Sequence, residues 1–143
     1  MLDRVAGQPT WLLAQANARA QRLLHDAFTA AGVRGYHYRL LAALEQYGAV
    51  SQAELARHTG IDPKDVVGAL NELVEAGAAQ RSADPADGRR NLVRITRWGR
   101  VTLRRLDAAL ADVQAELLAP LAPRERETLV ALLTRLAAPD PAS

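Results

Sequence analysis

Two arginines, Arg89 and Arg90, close the run Asp84-Pro85-Ala86-Asp87-Gly88-Arg89-Arg90. Guanidinium groups raised on a hairpin suit one kind of chemistry, the charge-assisted contact to phosphate or to the electronegative floor of a narrow duplex groove. Upstream, Asp62-Pro63-Lys64-Asp65-Val66-Val67-Gly68 opens a helix that goes on to Asn71. Lys64 can meet phosphate or guanine, and Asn71 an adenine edge. Asp65 can accept from a cytosine amino group, although its spacing from Asp62 better fits a local capping role. Val67 and Gly68 share the outer side with them, and Pro63 lies with Lys64 at the N-terminal turn, where the helix dipole favours phosphate. Gly68 has no side chain to read with and lets the backbone lie close to a groove. Gln52, at the start of the preceding helix, and Arg81, just past the glycine turn, complete the candidate DNA contacts.

Other chemistries find less support. The three histidines, His25, His37 and His58, lack the spacing of zinc ligands, and there is no cysteine to help them. The serines, Ser51, Ser82 and Ser143, fall in a cap, a strand and the tail, where none is set beside a general base. No glycine-rich phosphate loop follows a strand. We therefore expect no catalytic residue, no metal and no cofactor. A second cluster is a better candidate for binding: Trp11, His25, Phe28, Tyr36, His37, Tyr38, Arg39 and Trp98 fall on the first two long helices and the start of the fifth. An aromatic wall carrying histidine and arginine suits a small aromatic or phenolic anion. The same residues would equally serve to pack a dimer core.

The elements that position these groups are mostly helical. Leu12, Leu13, Ala16, Ala20, Leu23, Leu24 and Phe28 recur at helical spacing between a Thr10 cap and about Ala31. A second helix runs from Tyr36 or His37 to about Gln46, with Leu40, Leu41 and Leu44 inward. Ser51 and Glu54 form a capping box for a third helix ending at Gly60. Asp62 caps a fourth, with Pro63 in its first turn and Gly77 as its stop. Ala56 at the close approach, Gly60 at the turn, and Leu55, Ile61, Val66, Ala69 and Leu70 satisfy the steric demands of a helix-turn-helix. Its second helix would be the recognition helix.

Ala79–Ala83 and Asn91–Ile95 alternate as a two-stranded ribbon, with Asp84–Arg90 as its loop. Thr96 caps a fifth helix reaching about Leu118, with Val101, Leu106, Ala109, Leu110, Val113 and Leu117 on its apolar stripe. A sixth covers about Arg124 to Ala137, and the tail Pro139-Asp140-Pro141 is expected to fray. The fold class is mostly α with a small β wing: a winged helix-turn-helix over residues 36–100, with dimerisation helices over 8–35 and 101–138, in one domain spanning 1–143.

The 143 residues carry a net charge of only +2. Between Arg81 and Arg105, however, eight arginines face two aspartates, a local +6. Beside a reading head this is an electrostatic footprint for phosphate; in isolation it would be a solvated face. The absence of cysteine fits a reducing cytoplasm, and no apolar run approaches the roughly 20 residues needed to cross a bilayer. We expect no membrane partner.

The chain resembles the MarR family of bacterial transcription regulators over nearly its whole length. Four stretches carry the resemblance: Ser51-Gln52-Ala53-Glu54-Leu55-Ala56, Leu73 followed by Gly77, the wing Asp84–Arg90, and Ile95-Thr96-Arg97-Trp98-Gly99. The resemblance implies a homodimer built from the first, fifth and sixth helices. It also implies a pseudo-palindromic operator, with recognition helices in successive major grooves and wings in the flanking minor grooves. Many members are repressors that leave DNA on binding small, often aromatic or phenolic, anions. By match of position, the Asp87 carboxylate would orient Arg89 toward the minor groove, with Arg90 as a neighbouring contact. One departure is Lys64, Asp65, Val67 and Gly68, where family members often carry Ser, Thr and Arg; it shifts sequence choice toward the wing and DNA shape. The rival class is a dimeric winged-helix module that binds protein instead of DNA.

Overall fold

A computed structural model describes residues 2–139. Seven helices and one hairpin follow in the order α1 (Asp3–Ala6), α2 (Pro9–Ala30), α3 (Gly35–Tyr47), α4 (Gln52–Thr59), α5 (Pro63–Glu75), β1 (Ala79–Asp84), β2 (Asp87–Ile95), α6 (Arg97–Leu117) and α7 (Pro123–Ala137). This is the expected winged helix-turn-helix with flanking helices, plus the unforeseen short turn α1. The expected tail falls, from residue 140 on, outside the described residues.

The core lies where α3, α4, α5 and the wing meet. Leu40, Leu41 and Leu44 of α3, Leu55 of α4, Val66 and Leu70 of α5, Val93 of β2 and Leu106 of α6 are its largest fully buried side chains. Six leucines and two valines withdrawn from water give each helix of the reading head one fixed face, since burying each contributes about 1.5–3 kcal/mol. Gly60 turns between α4 and α5 in the left-handed conformation (φ +69°), which a side chain would oppose. Val50, just before α4, exchanges two backbone hydrogen bonds with Val93, at 3.1 and 2.7 Å. The wing is thereby tied to the start of the helix-turn-helix.

The Thr96-x-x-Gly99 pattern has a steric reason. Thr96 Oγ1 accepts from the Gly99 amide at 3.0 Å and donates to the Gly77 carbonyl at 2.6 Å. The Thr96 amide donates to the Ala78 carbonyl at 3.1 Å. The first turn of α6 is therefore pressed against the α5–β1 turn, and a Cβ on Gly99 would overlap the Ala78 carbonyl oxygen. This contact also sets the rotation of α6. Gly99, Leu103, Leu106 and Val113 are its buried residues, at the spacing of one helical face. Val101, expected on the apolar stripe, is 43% exposed, and Leu103 holds the inward place.

Three further expectations are corrected. Thr10 does not cap α2: Gln8 is the N-cap, without a side-chain bond, and Pro9 supplies the first turn, where its missing amide costs nothing. The wing loop is shorter than Asp84–Arg90, because the strands pair as far as Asp84 opposite Asp87. The Asp84 carboxylate accepts the Ala86 amide at 2.9 Å and closes the chain over Pro85 and Ala86. Finally, Asp62 accepts the Lys64 amide at 2.9 Å, but Asp65 does not return a bond to complete a capping box. Ser51 and Glu54 do form theirs, with both bonds at 3.2 Å.

Candidate nucleic-acid interface

Helix α5 turns Val66, Ala69, Leu70 and Leu73 into the core. With four inward positions fixed, the outward ones follow at about 100° per residue: Lys64, Asp65, Val67, Gly68 and Asn71 are all exposed. Pro63 stands at the first helical position, also exposed. Four of the residues read as DNA contacts, Lys64, Val67, Gly68 and Asn71, thus share one side of one helix, with Pro63 and Asp65 flanking it in the first turn. Lys64 lies at the N-terminal end, where the helix dipole favours an anion, although its own amide is taken by Asp62.

Gln52 and Arg81 join this helix through one guanidinium nitrogen. The Arg81 guanidinium, from β1, donates to Asn71 Oδ1 at 2.8 Å and to Gln52 Oε1 at 3.3 Å. Three candidates from α4, α5 and β1 form one polar cluster. The sequence placed them in separate elements and gave no signal that they would touch.

The wing residues behave differently from the expectation drawn from the resemblance. The Asp87 carboxylate accepts the backbone amide of Arg89 at 3.1 Å, so it shapes the strand rather than orienting the guanidinium. The Arg89 side chain makes no ion pair among the described residues. Arg90 turns back and pairs with Glu54, the residue whose other oxygen accepts the Ser51 amide. The wing is therefore latched onto the N-terminus of α4 through a carboxylate that also caps that helix. The capping-box spacing revealed Glu54 as a cap, but its second role depends on where the wing folds.

The aromatic cluster divides. His25, Phe28, Tyr36, Tyr38 and Arg39 line a cleft of about 1020 Å³ between α2, α3 and α6. Phe28 and Tyr38 stack with centroids 6.1 Å apart. The Tyr38 hydroxyl donates to Asp107 at 2.7 Å; this bond, then burial and the carboxylate's charge, raises the phenol's pKa above its usual value. Arg39 bonds the Thr59 carbonyl at 3.2 Å, joining the cleft to the end of α4. Trp11, Trp98 and His37 do not line it. Trp98 is 49% exposed at the start of α6 under the Arg105 guanidinium, because Gly99 beside it holds the inward place. Trp11 sits on the exposed first half of α2.

His37 is buried and points instead toward the recognition helix. Its Nδ1 accepts the Arg34 amide at 3.3 Å, and Nε2 lies 3.1 Å from Glu72 of α5, which fixes the proton on Nε2. Arg34 approaches the same carboxylate at 3.5 Å. Burial pushes the imidazole below its usual pKa, against the pull of Glu72 and with some help from Arg34. The partnership spans 35 residues of sequence, and nothing in local spacing could have suggested it.

Among the described residues, no three His, Asp or Glu side chains gather as metal ligands. No described helix is long and apolar enough to cross a membrane.

Comparison with known proteins agrees with this geometry. A family model described as MarR family matches residues 31–90. The HTH-type transcriptional repressor Rv2887 of Mycobacterium tuberculosis is 32% identical over 118 residues, 82% of this chain and 85% of that protein. A crystal structure of Rv2887 in complex with DNA has a TM-score of 0.79 at 26% identity, covering 92% of this chain and 99% of that one. A probable transcriptional regulator from Pseudomonas aeruginosa superposes with a TM-score of 0.80 at 38% identity, over 91% and 97% of the two chains. Bordetella bronchiseptica BpsR, whose DNA binding is regulated by 6-hydroxynicotinic acid, reaches 0.82 at 26% identity, over 95% and 97%.

Proposed function

The chain belongs to the MarR family, and from that premise we propose that it is a homodimeric repressor of transcription that binds a pseudo-palindromic operator. The observation that carries this reading is the exposed side of α5, with Lys64, Gly68 and Asn71, beside a wing whose tip bears Arg89. A recognition helix of this width fits the major groove, and an inserted guanidinium fits a narrow minor groove. Gln52, Pro63, Asp65, Val67, Arg81, Asp87 and Arg90 frame that surface as contacts or supports. The winged helix-turn-helix takes residues 36–100, and the flanking segments 8–35 and 101–138 form the dimer.

Support for the dimer comes from apolar surface that the single chain leaves in water. Leu12 and Leu13 of α2 are 48% and 43% exposed, and Val130, Leu132, Leu133 and Leu136 of α7 are 58%, 47%, 39% and 70% exposed. Helix α7 buries no residue at all. An apolar face of this kind needs a partner, and a second copy supplies a self-complementary one. Two half-sites on one side of a duplex lie about 34 Å apart. The 21 residues of α6, at about 1.5 Å each, give a spacer of that order.

The cleft between α2, α3 and α6 is the proposed effector site. His25, Tyr36 and Arg39 would meet a small aromatic carboxylate or phenolate, while Phe28 offers an apolar wall. The protein works in the cytoplasm by binding alone, without catalysis or a cofactor. Gel-shift titration against the DNA upstream of its own coding sequence, at two salt concentrations, tests the reading. We expect tight binding at low salt that weakens steeply as salt rises; absence of binding at low salt would leave only a protein-interaction module.

A further inference from the structure

Helix α5 buries Val66, Leu70 and Leu73 but leaves Val67 44% exposed. A branched apolar side chain in water adds little to the fold and is a modest helix former. One exposed valine by itself is ordinary; what lies beside this one is not. Val67 forms one wall of a hollow of about 790 Å³ between α4 and α5. Ala53 of α4 and Pro63 of α5, both exposed, form other walls, with the buried Ala56 and Ile61 deeper in. None of these five side chains carries a polar atom. Gln52 also lines the hollow and belongs to the polar cluster with Arg81 and Asn71. The hollow therefore adjoins the candidate DNA contacts, and Val67 shares its side of α5 with Lys64, Gly68 and Asn71.

Resting on the DNA-binding reading above, we propose that this hollow is a methyl-reading site: it takes the C5-methyl group of a pyrimidine in the major groove, and Val67 is the residue that selects it. Bases otherwise present hydrogen-bond donors and acceptors there, and the thymine methyl is the apolar group. Val67 can neither donate nor accept, so a polar base atom brought against it would lose water without gaining a partner. A methyl group loses nothing polar and gains burial. Valine is short, and it reaches a base edge only where the helix backbone lies deep in the groove. Gly68, the next residue, supplies that clearance: a Cβ there would meet nothing within 4 Å in the protein, so the space its missing side chain leaves is open to the groove. The methyl of 5-methylcytosine occupies the same ring position as that of thymine and offers the same chemistry. An apolar contact of this kind adds base selection to a recognition helix with few polar side chains to read with.

The test starts from a duplex that the full-length protein selects from a randomised library. Each thymine is replaced in turn by deoxyuridine, which removes one methyl and keeps every hydrogen-bonding group, and affinity is read by fluorescence anisotropy. At one thymine in each half-site, affinity should fall about fourfold, the 0.8 kcal/mol of one buried carbon converted at about 1.4 kcal/mol per tenfold. Val67→Ala should bring the ratio of thymine to deoxyuridine affinity at that position close to one. The side chain is exposed and alanine is the better helix former, so this variant should keep its fold, as circular dichroism will show. A second arm places cytosine or 5-methylcytosine, each opposite guanine, at the same position. A fourfold gain on methylation shows that the methyl suffices on either base, and equal affinity confines the site to thymine. The proposal is overturned if no thymine responds to loss of its methyl, or if Val67→Ala weakens both duplexes equally and leaves the ratio at about four. Failure of the unsubstituted protein to select any duplex at low salt removes the DNA-binding reading itself, a result separable from both.

Discussion

Two glycines within helices should respond oppositely to the same substitution. In Gly99→Ala the new methyl would overlap the Ala78 carbonyl oxygen and lie 2.7 Å from Ile95 Cγ1. Neither neighbour yields easily. The carbonyl holds the Thr96 amide at 3.1 Å, and Ile95 is 7% exposed. Overpacking of this kind costs about 1–3 kcal/mol or more, and release of the Thr96 cap adds about 1 kcal/mol. For a chain of this length each kcal/mol lowers Tm by about 4 °C, so a fall of about 8–16 °C is expected. Gly68→Ala is the counterpart. Its Cβ meets nothing within 4 Å, and alanine in an exposed helix stabilises by about 0.5–1 kcal/mol, a rise of about 2–4 °C. Thermal unfolding followed by circular dichroism, at one protein concentration because dimers unfold with mass action, reads both. Equal Tm values for Gly99→Ala and the unsubstituted protein would refute the claim that this glycine locks α6 against the α5–β1 turn.

Other expectations follow from the same contacts. Gly68→Ala should weaken DNA binding despite its greater stability, measured by fluorescence anisotropy; unchanged affinity would remove a close backbone approach from the account. Arg89→Ala should cost about 1–3 kcal/mol in operator affinity by the same assay, and no loss would take the wing tip out of the interface. Because burial lowers the His37 pKa in the fold, the unfolded chain binds more protons between that lowered value and about 6.5. Stability should therefore fall as pH drops below about 6.5. His37→Gln should flatten that part of the stability–pH curve from denaturant titrations, and an unaltered curve would assign the dependence elsewhere. Leu133→Glu with Leu136→Glu should convert dimer to monomer in sedimentation velocity; persistence of the dimer would move the interface off α7.

The elements that sequence could disclose were those governed by local rules. The Ser51–Glu54 box, the Asp62 cap and Gly60 operate within a few residues, and they located the helix-turn-helix. The inward stripe of α5 emerged from spacing alone. The candidate site was legible only in part, because its cross-connections are distant in the chain. Arg90 reaches Glu54 across 36 residues, Arg81 reaches Gln52 across 29, and His37 meets Glu72 across 35. These are side-chain encounters set by how the wing and α3 settle against α4 and α5. Helical phase brought a smaller error. The α6 stripe was read from its apolar residues, whereas the Gly99 contact rotates Val101 outward and Leu103 inward. Aromatic content likewise could not tell His37, which braces the recognition helix, from His25, which opens on the cleft.

Hydroxyl-radical footprinting on a duplex recovered by selection, paired with sedimentation of the same complex, addresses the central claim most directly. Two chains should bind together, protecting two patches one helical turn apart on a single side of the DNA, with flanking minor-groove protection from the wings. A single protected patch, or one chain bound per duplex, would contradict a dimer that reads two half-sites at once.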